Sequence, residues 1–109
     1  MAGHTLDRLA ALIAERRQSS TDKSYTRQLL DGGTERCAKK FGEEAIEAII
    51  AAVGTDREVL KGEAADVLYH LIVLLESRRV PLSEVCAVLE NRMGQSGLDE
   101  KSARGVPKP

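Results

Sequence analysis

Apolar side chains recur along most of this chain at steps of three and four. From Thr5 to Arg17, Leu6, Leu9, Ala10, Leu12 and Ile13 form a stripe that predicts an amphipathic helix behind a Thr5 cap. The polar run "QSSTDKS" (18–24) predicts a loop. "YTRQLL" (25–30) predicts one or two helical turns, stopped by Asp31-Gly32-Gly33. Thr34 then reads as the cap of a long helix that reaches Val53 and is closed by Gly54. Thr55 and Glu58 stand at capping-box spacing, so another helix is expected to start at once and run to about Arg79. Pro81 marks a break, and "SEVCAVLENRM" (83–93) predicts a last amphipathic helix ending near Gly94. Residues 95–109 are polar and rich in glycine and proline, which predicts a mobile tail. No run alternates with period two over a useful length. The expected fold is therefore all-α, an antiparallel bundle of four to five helices forming one domain over residues 1–94.

Composition narrows the function. The 109 residues are 42% hydrophobic and 30% charged with a net charge of −1, the profile of a soluble folded chain. Phe41, Tyr25 and Tyr69 are its only aromatics, which leaves little surface for base stacking, and the near-neutral charge leaves no dominant basic face. Nucleic acid is not an expected partner. Neither is a membrane, because the longest nearly apolar run, Val67 to Leu75, is broken by His70 and falls short of the roughly 20 residues a bilayer requires. "MAGHTLDRLAALIAERR" lacks the features of a signal peptide, so a cytoplasmic location is expected. Cys37 and Cys86 are too isolated for a metal knuckle or disulfide framework and read as reduced core thiols.

The chemistry-bearing positions lie on the two long helices. At about 100° per residue, Ala38, Phe41, Ala45, Ala48, Ile49 and Ala52 project from one broad face of the first, with Glu43, Glu44, Glu47 and Lys40 opposite. The second is apolar nearly all round from Ala64 to Leu75, which requires burial on most sides. A chain of this length cannot wrap it, so oligomerisation, with a dimer as the minimum, is expected to complete the core. On that helix Glu63, Asp66 and His70 form one narrow stripe, with no lysine or arginine between Gly62 and Ser77 to pair with it. Sequestered carboxylates cost several kcal/mol each unless paired or metal-bound. The short Gly54-Thr55 turn makes the helices antiparallel neighbours, so Glu44 and Glu47 can face Glu63 and Asp66. An all-oxygen donor set of this kind favours Mg²⁺ or Mn²⁺ over zinc, and Mg²⁺ commonly shares its shell with substrate phosphates. Phosphate-ester or phosphoanhydride chemistry follows.

The pattern Glu43-Glu44-x-x-Glu47, fifteen residues, then Glu63-x-x-Asp66 resembles the signature of the all-α nucleotide pyrophosphohydrolases, which include MazG-type enzymes and dimeric dUTPases. The finer resemblance is to the phosphoribosyl-ATP pyrophosphohydrolase family of histidine biosynthesis, carried by "SYTRQLL" (24–30), "KKFGEEAIEAIIAA" (39–52), "GEAADVLYHLIVLL" (62–75) and "SGLDEKSAR" (96–104). Phe41, in place of a smaller aliphatic, and "KSAR", in place of Lys-Ala-Ser-Arg, depart from that pattern without touching the carboxylates. The resemblance implies hydrolysis of 1-(5-phosphoribosyl)-ATP to 1-(5-phosphoribosyl)-AMP and pyrophosphate. Glu44, Glu47, Glu63 and Asp66 would hold the metal. Glu43 would orient water or bind a second ion. Lys40 reads either as a phosphate contact or as a salt-bridge partner of Glu43 or Glu44, and Lys101 and Arg104 as phosphate contacts or solvated tail charges. His70 reads as a support for a ligating carboxylate or as a core histidine. Two other functions remain open at this level: a house-cleaning nucleoside triphosphate pyrophosphohydrolase, and a non-catalytic oligomerisation module.

Overall fold

Five helices, α1 (Ala2–Arg16), α2 (Tyr25–Asp31), α3 (Gly33–Val53), α4 (Arg57–Ser77) and α5 (Leu82–Met93), make up most of the computed structural model, which describes residues 2–94. No strand occurs among the described residues, and the all-α expectation holds. The expected mobile tail, with Lys101 and Arg104, lies outside them. No helix among the described residues is long and apolar enough to cross a membrane.

The frame is the hairpin of α3 and α4, each 21 residues long, joined by a short turn at Gly54–Asp56 and packed along their length. The short α2 packs on both of them, and α1 crosses α4. Where the elements meet, Ile13, Leu29, Cys37, Ile72 and Val73 form the buried core. Leu29 is wholly enclosed, a burial worth about 2 kcal/mol for a side chain of that size. Polar anchors hold α2 in register. Arg27 donates from Nη1 to the carbonyls of Arg17 (2.6 Å) and Ser19 (2.8 Å) and pairs through Nε with Asp31. Arg17 in turn donates to the Glu76 side chain on α4 at 2.8 Å. The loop between α1 and α2 is thus tied to α4 by charge.

Several helix ends differ from expectation, each for a local reason. Helix α1 begins at Ala2, so Thr5 lies inside it and does not cap it. Ser24 caps α2, its side chain accepting from Arg27 N–H. Thr34 is not the cap of α3. Gly32 takes that place and Gly33 adopts φ +85°, a left-handed turn that spares a side chain its steric cost. The Thr34 hydroxyl instead meets Ser77 Oγ at 3.0 Å, linking the start of α3 to the end of α4. Asp56 caps α4, and not Thr55. Its Oδ1 accepts from Glu58 N (2.9 Å) and Val59 N (3.2 Å), and a carboxylate gains further from the helix dipole.

Helix α4 stops at Ser77, two residues before the predicted end. Arg79 takes φ 57° and Val80 N–H returns to the Leu75 carbonyl at 3.0 Å, a Schellman-type ending without glycine. Cys37 matches the core-thiol reading. Its Sγ donates to the Leu29 carbonyl, and burial pushes the thiol pKa up. Cys86 does not match it. Helix α5 packs through little more than Leu82 and Val85, and Cys86 is exposed on it.

A non-glycine residue in the left-handed region costs about 1–2 kcal/mol, and glycine avoids that cost while adding freedom to the unfolded chain. Arg79→Gly is therefore expected to stabilise the fold by about 0.5–1 kcal/mol, read as a higher midpoint in urea unfolding.

Candidate active site

Alanines decide where the carboxylates meet. The half-buried positions of α3 include Phe41, Glu44, Ala45, Ala48 and Ala51, spaced at helical steps along one side. Small side chains there let α4 approach closely, and Glu44 enters the groove beside them. Glu44 sits at the helix contact beside Glu63 and Asp66, while Ala38, Ile49 and Ala52, which project from the broad apolar face, are exposed with Ile46, Ile50 and Val53. The uncovered aliphatic surface therefore lies more on α3 than on α4, where Val59 and Leu68 are its counterparts.

Across the groove, Glu63 and Asp66 stand one turn apart on α4. One carboxylate oxygen from each of Glu44, Glu63 and Asp66 lies within 4.8 Å of the others, close enough to hold one ion. Glu44 and Glu63 are half-buried and Asp66 is exposed, so the cluster opens to solvent at the Asp66 side. Glu47 is exposed and not part of that trio, yet among neighbouring charges it acts most strongly on Glu63. Desolvation pushes the Glu63 carboxyl up from its ordinary pKa, and repulsion from Glu47, Asp66 and Glu44 pushes the same way.

The donor set also shows what is missing from the charge balance. Glu63 Oε1 is sealed from solvent and has no hydrogen-bond partner, and such an atom carries a desolvation penalty that a bound cation or a proton would offset. No ion pair among the described residues reaches Glu44, Glu63 or Asp66. Lys61, the nearest cation in sequence, turns away to Glu58 at 2.8 Å. Oxygen donors with excess negative charge and one unsatisfied atom fit a hard divalent cation.

The remaining predicted residues surround the rim. Lys40 pairs with Glu43 at 3.2 Å, both partly exposed. That hydrogen bond raises the ammonium pKa, and the negative charges of Glu43 and Glu44 add to it. Both readings of Lys40 thus share one geometry, an ion pair at the edge of the acidic cluster. His70 is buried and touches the Asp66 backbone carbonyl at 2.8 Å, with Tyr25 Oη at 3.4 Å on its other nitrogen. The Asp66 carboxylate is not its partner. Tyr69, read as packing, is half-buried and shares a hydrogen bond with Thr26 at 2.5 Å. Tyr25, at the start of α2, is 49% exposed, and its hydroxyl reaches His70 of α4.

With its pKa raised in the fold, ionised Glu63 is less favoured there than in the unfolded chain. Its ionisation therefore costs stability as pH climbs past the ordinary carboxylate value, in full once the raised value is passed. Metal-free Glu63→Gln is expected to melt a few degrees above the metal-free parent at pH 8, with the gap closing toward pH 4. Added Mg²⁺ is expected to stabilise the parent at pH 8 and to lose most of that effect on the variant. A gap that does not vary with pH would contradict the electrostatic cause.

Residues 6–93 match the family model described as phosphoribosyl-ATP pyrophosphohydrolase. A phosphoribosyl-ATP pyrophosphatase of Agrobacterium fabrum is 52% identical over 107 residues, covering 98% of this chain and 100% of the relative. One from Cereibacter sphaeroides is 59% identical over 100 residues, covering 92% and 97%. Phosphoribosyl-ATP pyrophosphatase 1 of Rhodopseudomonas palustris is 56% identical over 104 residues, covering 95% and 97%. With a family match over residues 6–93 and relatives above half identity that are covered almost end to end, the chain belongs to the phosphoribosyl-ATP pyrophosphohydrolase family.

Proposed function

We propose that this protein hydrolyses 1-(5-phosphoribosyl)-ATP to 1-(5-phosphoribosyl)-AMP and pyrophosphate, using Mg²⁺ held by Glu44, Glu63 and Asp66 with Glu47 beside them. The observation that carries the reading is the three converging carboxylates with a desolvated, unpartnered Glu63 oxygen. The substrate's name comes from the relatives. When bound, the cation supplies charge neutralisation for the phosphates and a more acidic water.

The chain's own residues supply position. Glu44 from α3 meets Glu63 and Asp66 from α4, so the two-helix frame sets the geometry before substrate arrives. Glu43, at the rim, is the carboxylate available to take a proton from water, or to join a second ion. Lys40, held by Glu43, presents an ammonium to a phosphate oxygen as a point charge. Lys101 and Arg104 are assigned by family resemblance to further phosphate contacts. Water is consumed, the anhydride joining the α- and β-phosphates breaks, and pyrophosphate leaves with its charge screened.

A second copy of the chain completes the molecule in this reading. Ile46, Ile49, Ile50 and Val53 on α3 are more than half exposed, and Leu68 on α4 is 41% exposed. An aliphatic face of that extent on the frame helices marks an association surface. It runs along the helix pair that carries the site, so assembly would also restrict solvent access to the carboxylates.

Two outcomes are expected. Pyrophosphate release from phosphoribosyl-ATP requires Mg²⁺ or Mn²⁺ and falls about a hundredfold or more in Glu44→Gln and Asp66→Asn. Near-normal turnover in either variant would refute the site. Faster hydrolysis of dCTP or dUTP than of phosphoribosyl-ATP would instead favour a house-cleaning enzyme. In sedimentation analysis, the parent runs as a dimer or larger, and Ile49→Asp with Ile50→Asp shifts it toward monomer. An unshifted double variant would place the interface elsewhere.

A further inference from the structure

The first turns of α3 carry charge that the carboxylate cluster does not use. An open hollow of about 500 Å³ lies there, lined by Gly32, Glu35, Arg36, Lys39, Lys40 and Glu43, within the size range of small-molecule sites. Glu43 is committed to Lys40 at 3.2 Å. That leaves Arg36 and Lys39 against Glu35, two positive charges to one negative. Among the described residues Arg36 and Lys39 join no ion pair, and both are exposed. Cations this close to a helix start oppose its dipole, so helix stability gives no reason for them.

Gly32 fixes where the arginine lies. Its backbone sits at φ −73° and ψ −9°, a conformation open to any residue. What excludes a side chain there is Arg36 itself. A Cβ at position 32 would collide with Arg36 Cδ and stand 3.0 Å from Arg36 Cβ. The arginine stem thus folds back over Gly32, toward the start of the helix and away from Glu44. Arg36, Lys40 and Glu44 follow at four-residue steps, one above another on a single face. Eight residues at 1.5 Å each separate the Arg36 and Glu44 backbones by about 12 Å along the axis, and the folded stem carries the guanidinium farther.

We infer that this hollow receives the single phosphate at the far end of the substrate, with Arg36 and Lys39 as its contacts and Gly32 as the residue that positions Arg36. This deepens the proposed function and rests on it for the identity of the substrate. 1-(5-Phosphoribosyl)-ATP carries phosphate at both ends: a triphosphate on one ribose, a phosphomonoester on the other, and adenine between them. With the reacting anhydride at Glu44, Glu63 and Asp66, the β- and γ-phosphates do not extend as far as the Arg36 guanidinium. The second phosphate does, because a purine and two riboses set it apart from the first. A plain nucleoside triphosphate has nothing to place there. The hollow thus separates the substrate from ATP, and contact remote from the reaction helps to hold the anhydride in place.

Calorimetry and steady-state kinetics test it. Ribose 5-phosphate, the probe for the hollow, is expected to bind the parent and to lose about tenfold in affinity in Arg36→Gln and in Lys39→Gln, the loss of one hydrogen bond to a charged group. Mg²⁺-pyrophosphate, the probe for the carboxylate cluster, is expected to bind both variants as it binds the parent. For phosphoribosyl-ATP the same variants raise KM about tenfold with kcat changing less, while the inhibition constant of ATP stays where it was. Gly32→Ala is expected to weaken ribose 5-phosphate and to add no further loss to Arg36→Gln, because both act through one guanidinium. Arg36→Lys recovers part of the loss. A parent that ignores ribose 5-phosphate, an equal loss of pyrophosphate affinity in the variants, or equal weakening of ATP and phosphoribosyl-ATP would each overturn the proposal. If the parent did not hydrolyse phosphoribosyl-ATP while ribose 5-phosphate still depended on Arg36 and Lys39, the proposed function would fail and the phosphate site would stand. If Glu44→Gln abolished turnover while KM for phosphoribosyl-ATP ignored Arg36 and Lys39, the reverse would hold.

Discussion

Carboxylates brought together at a helix–helix contact repel one another and lose water at the same time. Glu44 on α3 meets Glu63 and Asp66 on α4, and Glu63 is left with one buried oxygen that no protein group satisfies. Evolution toward stability alone would replace such a group with an apolar one, since a desolvated charge without a partner costs more than its neighbours return. In the proposed reading its presence makes the α3–α4 contact a place for a cation as well as a structural one. The alanines of α3 that admit α4 so closely are part of that place, because they set how near the two acidic groups lie.

The other elements serve this frame by fixing what surrounds it. Helix α2 is only seven residues long and would not persist alone. It is held by Leu29 in the core, by Arg27 on the preceding loop, and by the Thr26–Tyr69 contact to α4. Through that docking Tyr25 is brought against His70 of α4. The charged tie between Arg17 and Glu76 closes the other end, joining α1 and its loop to the last turns of α4. Rigidity at the rim and tension in the groove are thus produced by different interactions, apolar and hydrogen-bonded in the first case and electrostatic in the second.

The helices themselves were legible because amphipathic period and turn residues are local signals. The α3–α4 hairpin, the break at Pro81 and the short α2 all follow from spacing within a few residues. Caps were harder. Asp56 captures α4 where Thr55 was expected, and Arg79 ends it without the glycine that marks such a turn, because neighbouring side chains of similar propensity differ only in final geometry. Burial was harder still. A wheel drawn for α3 alone places apolar and acidic groups on opposite sides, and in the fold Glu44 faces α4 while Ile46, Ile49 and Ile50 look outward.

What the chain determined by itself was the kind of chemistry: paired acidic residues at a one-turn spacing on two helices joined by a tight turn, with no basic residue nearby on the second. Those are properties of residue type and separation, and both are written in one dimension. What only the tertiary structure decided was which oxygens converge, that Glu47 stands just outside the trio, and that a buried imidazole meets a tyrosine 45 residues earlier. Such pairings depend on the rotation of one helix against another and on the docking of α2. No local pattern encodes either, because both are set by the packing of the whole core.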